Sequence, residues 1–202
     1  GDAIIEVEVA NHPVKGELSI RKSGQVLTSF DTDFHFEERG LAGAEFTVYA
    51  AEDIFTPDFQ KDKDGSRTRI YEKDSIVTTV TTDESGSAEV SDLPLGTYRV
   101  EETKAPEGFV LNTEPQEVTF SYQDQETPVI EQAAGFTNER QRVEISVEKQ
   151  DSETGAKVEG AVFGLSAAEN INTAEGTMLA DADMPLVETD TLLAETVSGK
   201  DG

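Results

Sequence analysis

The sequence predicts an all-β fold, an antiparallel β-sandwich, on three observations. Alternation of apolar and polar residues with period two runs through ELSIRK, AEFTVYA, SIVTTVTT, TYRVEE and QEVTFSY. Clusters of Gly, Pro, Asp and Ser separate these runs. Each run is short, and short amphipathic strands bury their apolar faces by pairing into two packed sheets.

The elements follow in chain order. ELSIRK (17–22) is a strand whose apolar face carries Leu18 and Ile20 and ends in Lys22. AEFTVYA (44–50) is a second strand. AAEDIF (50–55) is read as a short helical turn, kept short by Pro57. SIVTTVTT (75–82) is a strand, and DESGSA (83–88) a hairpin turn. DLPLG (92–96) and APEG (105–108) are further turns on either side of TYRVEE (97–102). QEVTFSY (116–122) and GFTN (135–138) complete the set.

Composition narrows the function classes. The 202 residues suit one large or two small domains. Forty-two acidic against 16 basic residues give a formal charge of −26, a field that repels nucleic acid and anionic membranes. There is no cysteine, which excludes disulfides, thiolate zinc sites and thiol catalysis. Two histidines, His12 and His35, are too few for a histidine-rich metal site. No apolar run reaches membrane-spanning length, and GDAIIEVEVAN is not a signal peptide. A secreted chain of this kind is expected to be an interior piece of something longer.

The chain repeats itself. NHPVKGELSIRK (11–22) and NERQRVEISVEK (138–149) share an Asn, a basic residue, Glu, an aliphatic–Ser–aliphatic core and a final Lys, 127 positions apart. LAGAEFTVYAAEDI (41–54) matches VEGAVFGLSAAENI (158–171) at an offset of 117, so the first copy carries a ten-residue insertion. DSIVTTVTTDESG (74–86) echoes DTLLAETVSGKDG (190–202) more weakly. Such periods indicate an array of similar domains. The expected organisation is the last strand of a preceding repeat (1–12), a complete unit (13–139) and the N-terminal half of a following repeat (140–202). Pairing of 1–12 with that half unit is a further possibility, in which docking without covalent closure is expected.

Strand parity picks out three polar residues. Lys22 continues the face of Leu18 and Ile20, Glu102 that of Tyr98 and Val100, and Asn138 that of Phe136. Asn11 and Lys149 hold the equivalent places after Ile5, Val7 and Val9 and after Ile145 and Val147. Buried charges require pairing or neutralisation, so one reading is a Lys22–Glu102 ion pair beside Asn138. Another places all three at strand ends in contact with water. A third is chemical. Burial disfavours the charged forms of amine and carboxyl alike. A neutral Lys22 amine is a nucleophile, the Asn138 carboxamide an electrophile, and a protonated Glu102 a proton shuttle at the amide oxygen.

These residues sit in a resemblance. The strand ending in Lys22, GLAGAEFTVYAAEDIFTPD, LPLGTYRVEETKAPEGFVL and GFTN resemble the Cna B-type (SpaA-like) domain of Gram-positive surface adhesins and pilins. The most specific piece is Gly-x-Tyr-x-Val-x-Glu-x-x-Ala-Pro-x-Gly-Phe, residues 96–109. The resemblance covers 13–139 in full and 140–171 well. It implies a seven-stranded sandwich of prealbumin-like topology, occurring in tandem. It also implies an intramolecular isopeptide bond between Lys22 and Asn138, assisted by Glu102. Asn11 and Lys149 would then serve neighbouring repeats, although 140–202 offers no counterpart of Glu102.

The function this implies is a stalk or shaft repeat of a cell-wall-anchored, extracellular adhesin or pilin. Its partners would be adjacent repeats of the same chain, sortase-assembled pilus subunits or host surface ligands, with no cofactor. The competing reading is a ligand-binding module that recognises host glycoprotein or carbohydrate through loops 24–40 and 55–71. Phe30, Phe34, Phe36, Phe55 and Phe59 lie in or beside those loops. Nothing matches a turnover enzyme: there is no phosphate loop, Ser–His–Asp set or histidine cluster. KDKDGS places Asp62, Asp64 and Gly65 as in a calcium loop, but Gln60 and Tyr71 stand where acidic ligands are needed. That stretch and DADM (181–184) read as solvated acidic turns.

Overall fold

The computed structural model describes residues 13–57, 61–172 and 184–202. Its strands are β1 (Lys15–Phe30), β2 (Phe34–Gly40), β3 (Glu45–Ala50), β4 (Ile54–Phe55), β5 (Arg69–Tyr71) and β6 (Ile76–Thr81). β7 (Ser87–Leu93), β8 (Gly96–Lys104), β9 (Gln116–Phe120), β10 (Val129–Asn138), β11 (Val162–Ser166) and β12 (Leu192–Val197) follow.

Two sheets face one another. One has β6, β3, β8 and β9 in antiparallel order. The other is built on β1, flanked by β10 on one side and by β7 and then β2 on the other. Setting aside β2 leaves seven strands in the two sheets, as the resemblance implies. The β1–β2 hairpin is the insertion between Lys22 and the Gly-Ala-x-Phe stretch, and β4–β5 is a small separate ribbon.

One pairing departs from the antiparallel rule. β1 and β10 run parallel, from Lys15 opposite Val129 to Gly24 opposite Asn138. A parallel pair needs a long crossover, and here nearly the whole domain supplies it.

The core follows from parity. Leu18 and Ile20 of β1, Phe46 and Val48 of β3, Tyr98 and Val100 of β8, and Phe136 of β10 are all buried between the sheets. Phe46 packs on Phe136 with ring centroids 4.8 Å apart. The Tyr98 hydroxyl donates to the Pro94 carbonyl at 2.7 Å, so the ring stays buried with its polar tip satisfied. A smaller cluster of Val26, Leu41 and Phe109 closes the end of the sandwich where Lys22 lies.

Three local expectations change. AAEDIF makes bends and the strand β4, not a helical turn. The Ala51 N–H is spent on the Thr97 carbonyl at 2.9 Å, and Glu52 accepts the Thr97 N–H, so tertiary partners outcompete the helix. DESGSA is a tight turn, with Asp83 accepting from the Ser85 and Ser87 N–H groups. It does not join two strands of one sheet, because β6 pairs with β3 while β7 crosses to β1. ISVEK forms no strand: Val143, Ile145 and Val147 are exposed, and no strand among the described residues pairs with them.

Thr82 is a buried tie between backbone segments. Its hydroxyl donates to the Leu41 carbonyl at 2.7 Å and accepts the Ala44 N–H at 3.1 Å. Thr82→Val would strand both backbone groups and is expected to cost about 1–3 kcal/mol in a denaturant titration.

The same pattern recurs downstream. Ser198 donates to the Val158 carbonyl at 2.7 Å and accepts the Ala161 N–H at 2.9 Å. Asp74 and Asp190, both in the left-handed region at φ 64° and 66°, donate their N–H to the Ala50 and Ala167 carbonyls respectively. β11 and β12 form a two-stranded sheet there, with Val162, Leu165, Leu192 and Val197 exposed.

Candidate functional site

Three elements converge at the Phe109 end of the sandwich. β1 brings Lys22, on a buried face that runs from Leu18 and Ile20 on to Gly24 and Val26, while β8 brings Glu102 and β10 brings Asn138, each at the inward-facing end of an apolar series. All three are buried, with relative exposures of 1%, 5% and 3%. The structure therefore brings together the three residues selected by parity, and removes the reading in which they touch water.

Their contacts form a closed set. Lys22 Nζ donates to Asn138 Oδ1, in very close contact, and lies 3.2 Å from Glu102 Oε1. The same Oε1 accepts from Asn138 Nδ2 at 2.9 Å. Glu102 Oε2 accepts the backbone N–H of Asn112 at 2.7 Å. Glu102 thus meets the amide nitrogen, where the sequence reading placed it at the amide oxygen. The carboxyl oxygen Oε1 accepts, so it takes the Nδ2–H, while the Lys22 amine, a donor, takes Oδ1. Burial pushes the Lys22 amine below its ordinary range, and the neighbouring Glu102 charge partly offsets this.

Backbone geometry seats the lysine. The Lys22 N–H donates to Gly86 at 2.7 Å, and its carbonyl accepts from Leu41 at 3.1 Å. Gly86, at φ 78°, could not carry a side chain, because a Cβ would lie 2.3 Å from the Lys22 carbonyl oxygen. Gly24 leaves room for the Phe109 ring, which a Cβ would approach to 2.8 Å.

The outlying candidates fall elsewhere. Asn11, His12 and Phe59 lie outside the described residues, as does 181–183 of DADM. Lys149 is exposed, its amine 3.5 Å from the Gln150 carbonyl. Its backbone is nevertheless held like that of Lys22, donating to Gly202 at 3.2 Å and accepting from Val158 at 3.0 Å. In the two loops, Phe30 packs on Phe34 at the hairpin tip with ring centroids 4.9 Å apart and the rings tilted by 47°, and Phe36 lies under the Arg140 guanidinium at 3.8 Å. Phe55 faces Arg67 at 5.2 Å. His35 reaches Asp31 at 3.1 Å on the exposed hairpin. Asp64 caps its own turn through Ser66. Among the described residues, no group of three or more His, Cys, Asp or Glu is placed to hold a metal ion.

Asn112 and Gln116 were not singled out by the sequence. The signal that could have pointed to Asn112 is the turn composition of Asn-x-Glu-Pro at 112–115, where the Asn112 side chain accepts the Glu114 N–H at 2.9 Å.

The fold and site together define a prealbumin-like β-sandwich whose first and last strands are joined through a buried Lys–Glu–Asn cluster. The chain belongs to the family of SpaA prealbumin-like fold domains, whose family model matches residues 32–133, half of its length. Among solved structures it is similar to the Bacillus anthracis TIE protein, at 19% identity and TM-score 0.51, over 94% of this chain and 25% of that one. It is also similar to GBS52, the minor pilin of Streptococcus agalactiae, at 20% identity and TM-score 0.41, over 67% and 49%. The shaft pilin SpaA of Lactobacillus rhamnosus GG matches at 18% identity and TM-score 0.40, over 94% and 81%. The chain thus spans half or less of the first two. No curated protein sequence matches it.

Proposed function

We propose that this chain is a structural repeat of an extracellular, cell-wall-anchored adhesin or pilin, locked by an isopeptide bond between Lys22 and Asn138. The observation that carries the reading is the buried contact of Lys22, Glu102 and Asn138 across the first and last strands. In the reaction, the Lys22 ammonium passes a proton to Glu102 Oε1 and the freed amine attacks the Asn138 side-chain carbonyl carbon. The new C–Nζ bond forms and the C–Nδ2 bond breaks. Glu102 hands its proton to the leaving nitrogen, 2.9 Å away. A second lysine proton leaves with the ammonia as ammonium, so the carboxylate is restored and the product is a neutral secondary amide. This happens once per molecule and is not turnover.

The domain reading that accompanies this is a complete unit at 13–139, with 1–12 closing a preceding repeat and 140–202 opening the next. The recurrence of the Thr82, Asp74 and Lys22 backbone bonds at Ser198, Asp190 and Lys149 supports it. Adjacent repeats, and pilus subunits joined to them, are the partners this role calls for.

The intact mass of the purified protein tests the chemistry. The wild type is expected to be lighter than its sequence mass by one ammonia, and Lys22→Ala, Asn138→Ala and Glu102→Ala to have their full masses. A wild type at full mass reduces the site to an ion pair.

A further inference from the structure

Among the described residues, the strand that carries Asn138 is an edge strand: β10 pairs with β1 on one side, and no described strand flanks the other. Two carboxamide side chains occupy that outer side instead. Gln116 takes both backbone groups of Gly135, donating to its carbonyl and accepting its N–H at 3.3 Å. Asn112 Nδ2 donates to the Thr137 carbonyl at 3.3 Å, one residue before Asn138. The backbone N–H of Asn112 is at the same time the donor to Glu102 Oε2. One residue therefore grips both the carboxylate and the strand bearing the amide.

We propose that Asn112 is a positioning residue for bond formation, an inference that rests on the isopeptide reading. The terminal torsion of a glutamate is broad, so burial alone does not fix the plane in which the carboxylate faces Lys22 and Asn138. The N–H at Oε2 fixes that torsion and leaves Oε1 to face both Lys22 Nζ at 3.2 Å and Asn138 Nδ2 at 2.9 Å. The Asn112 side chain then sets the height of β10 against the same loop, so shuttle and electrophile share one reference point. Its Oδ1, on the Glu114 N–H, holds the turn that presents the backbone donor.

The test follows ammonia loss by intact mass during cell-free synthesis of the full chain. Asn112→Ala is expected to slow bond formation by about tenfold or more, the rate equivalent of one lost hydrogen bond. Asn112→Asp keeps the turn acceptor and so the backbone donor, and should recover part of that rate while losing the Thr137 contact. Proton NMR supplies a readout that a loop-holding role would not move: Glu102→Gln should shift the Asn112 amide resonance upfield. A wild type that reacts beside an equally fast Asn112→Ala overturns the positioning role. So does equal slowing in both variants with an unmoved Asn112 amide. A wild type that never loses ammonia overturns the isopeptide reading itself, and this inference with it.

Discussion

Glu102→Ala is expected to lose more stability than any other single substitution at the site. The cross-link would close a loop of 116 positions between Lys22 and Asn138. By analogy with a disulfide of similar span, its absence gives up about 4–5 kcal/mol of unfolded-state entropy. The substitution also leaves the Lys22 amine buried without its counter-charge, which costs roughly 3–5 kcal/mol more. The sum rivals the whole stability of an ordinary domain, which is about 5–15 kcal/mol. Asn138→Ala keeps the ion pair and should lose mainly the first amount. Lys22→Met with Glu102→Leu should recover part of the second, since an apolar replacement avoids burying a charge. Guanidinium titrations of the four proteins separate these contributions. If Glu102→Ala and Asn138→Ala both unfold with the wild type, neither a covalent link nor a strong buried pair is present.

A mechanical experiment should separate linked from unlinked protein still more sharply. Pulled from residues 13 and 139, the linked domain can extend only outside Lys22 and Asn138. Asn138→Ala releases the intervening 116 positions, which at full extension is roughly 400 Å of added length. The parallel pairing of β1 with β10 sets how that release occurs. Tension enters at the start of one strand and leaves at the end of the other, so the ten-position ladder from Lys15 to Gly24 is sheared along its length. A wild-type trace with the full extension step would refute the lock.

Much of this architecture was legible because strand parity is a strictly local signal. Lys22, Glu102 and Asn138 each continue the face of buried apolar residues, and the structure buries all three. Parity named the inward face without naming the neighbours. That Glu102 meets the amide nitrogen depends on competition among donors in a closed cluster, which no single strand encodes. AAEDIF has the composition of a helical turn, but the Ala51 N–H is claimed by the Thr97 carbonyl, 46 positions away, and the Ala50 N–H by the Ser75 carbonyl. ISVEK carries as good an alternation as ELSIRK, yet only the latter has β7 and β10 beside it. A strand pattern becomes a strand when a ladder is available. Asn112 carries no parity signal because its main contribution is a backbone N–H, which sequence does not advertise.

The place of β10 in the fold bears on biogenesis. Lys22 leaves the ribosome long before Asn138 does, and the two meet only when the last strand of the sandwich has settled alongside the first. On the proposed chemistry, the amide bond is then written irreversibly. Each molecule would carry a permanent chemical record of having once completed its topology, readable by mass even after it is denatured. A population of these chains could be sorted into those that had folded and those that never had, without any probe of structure.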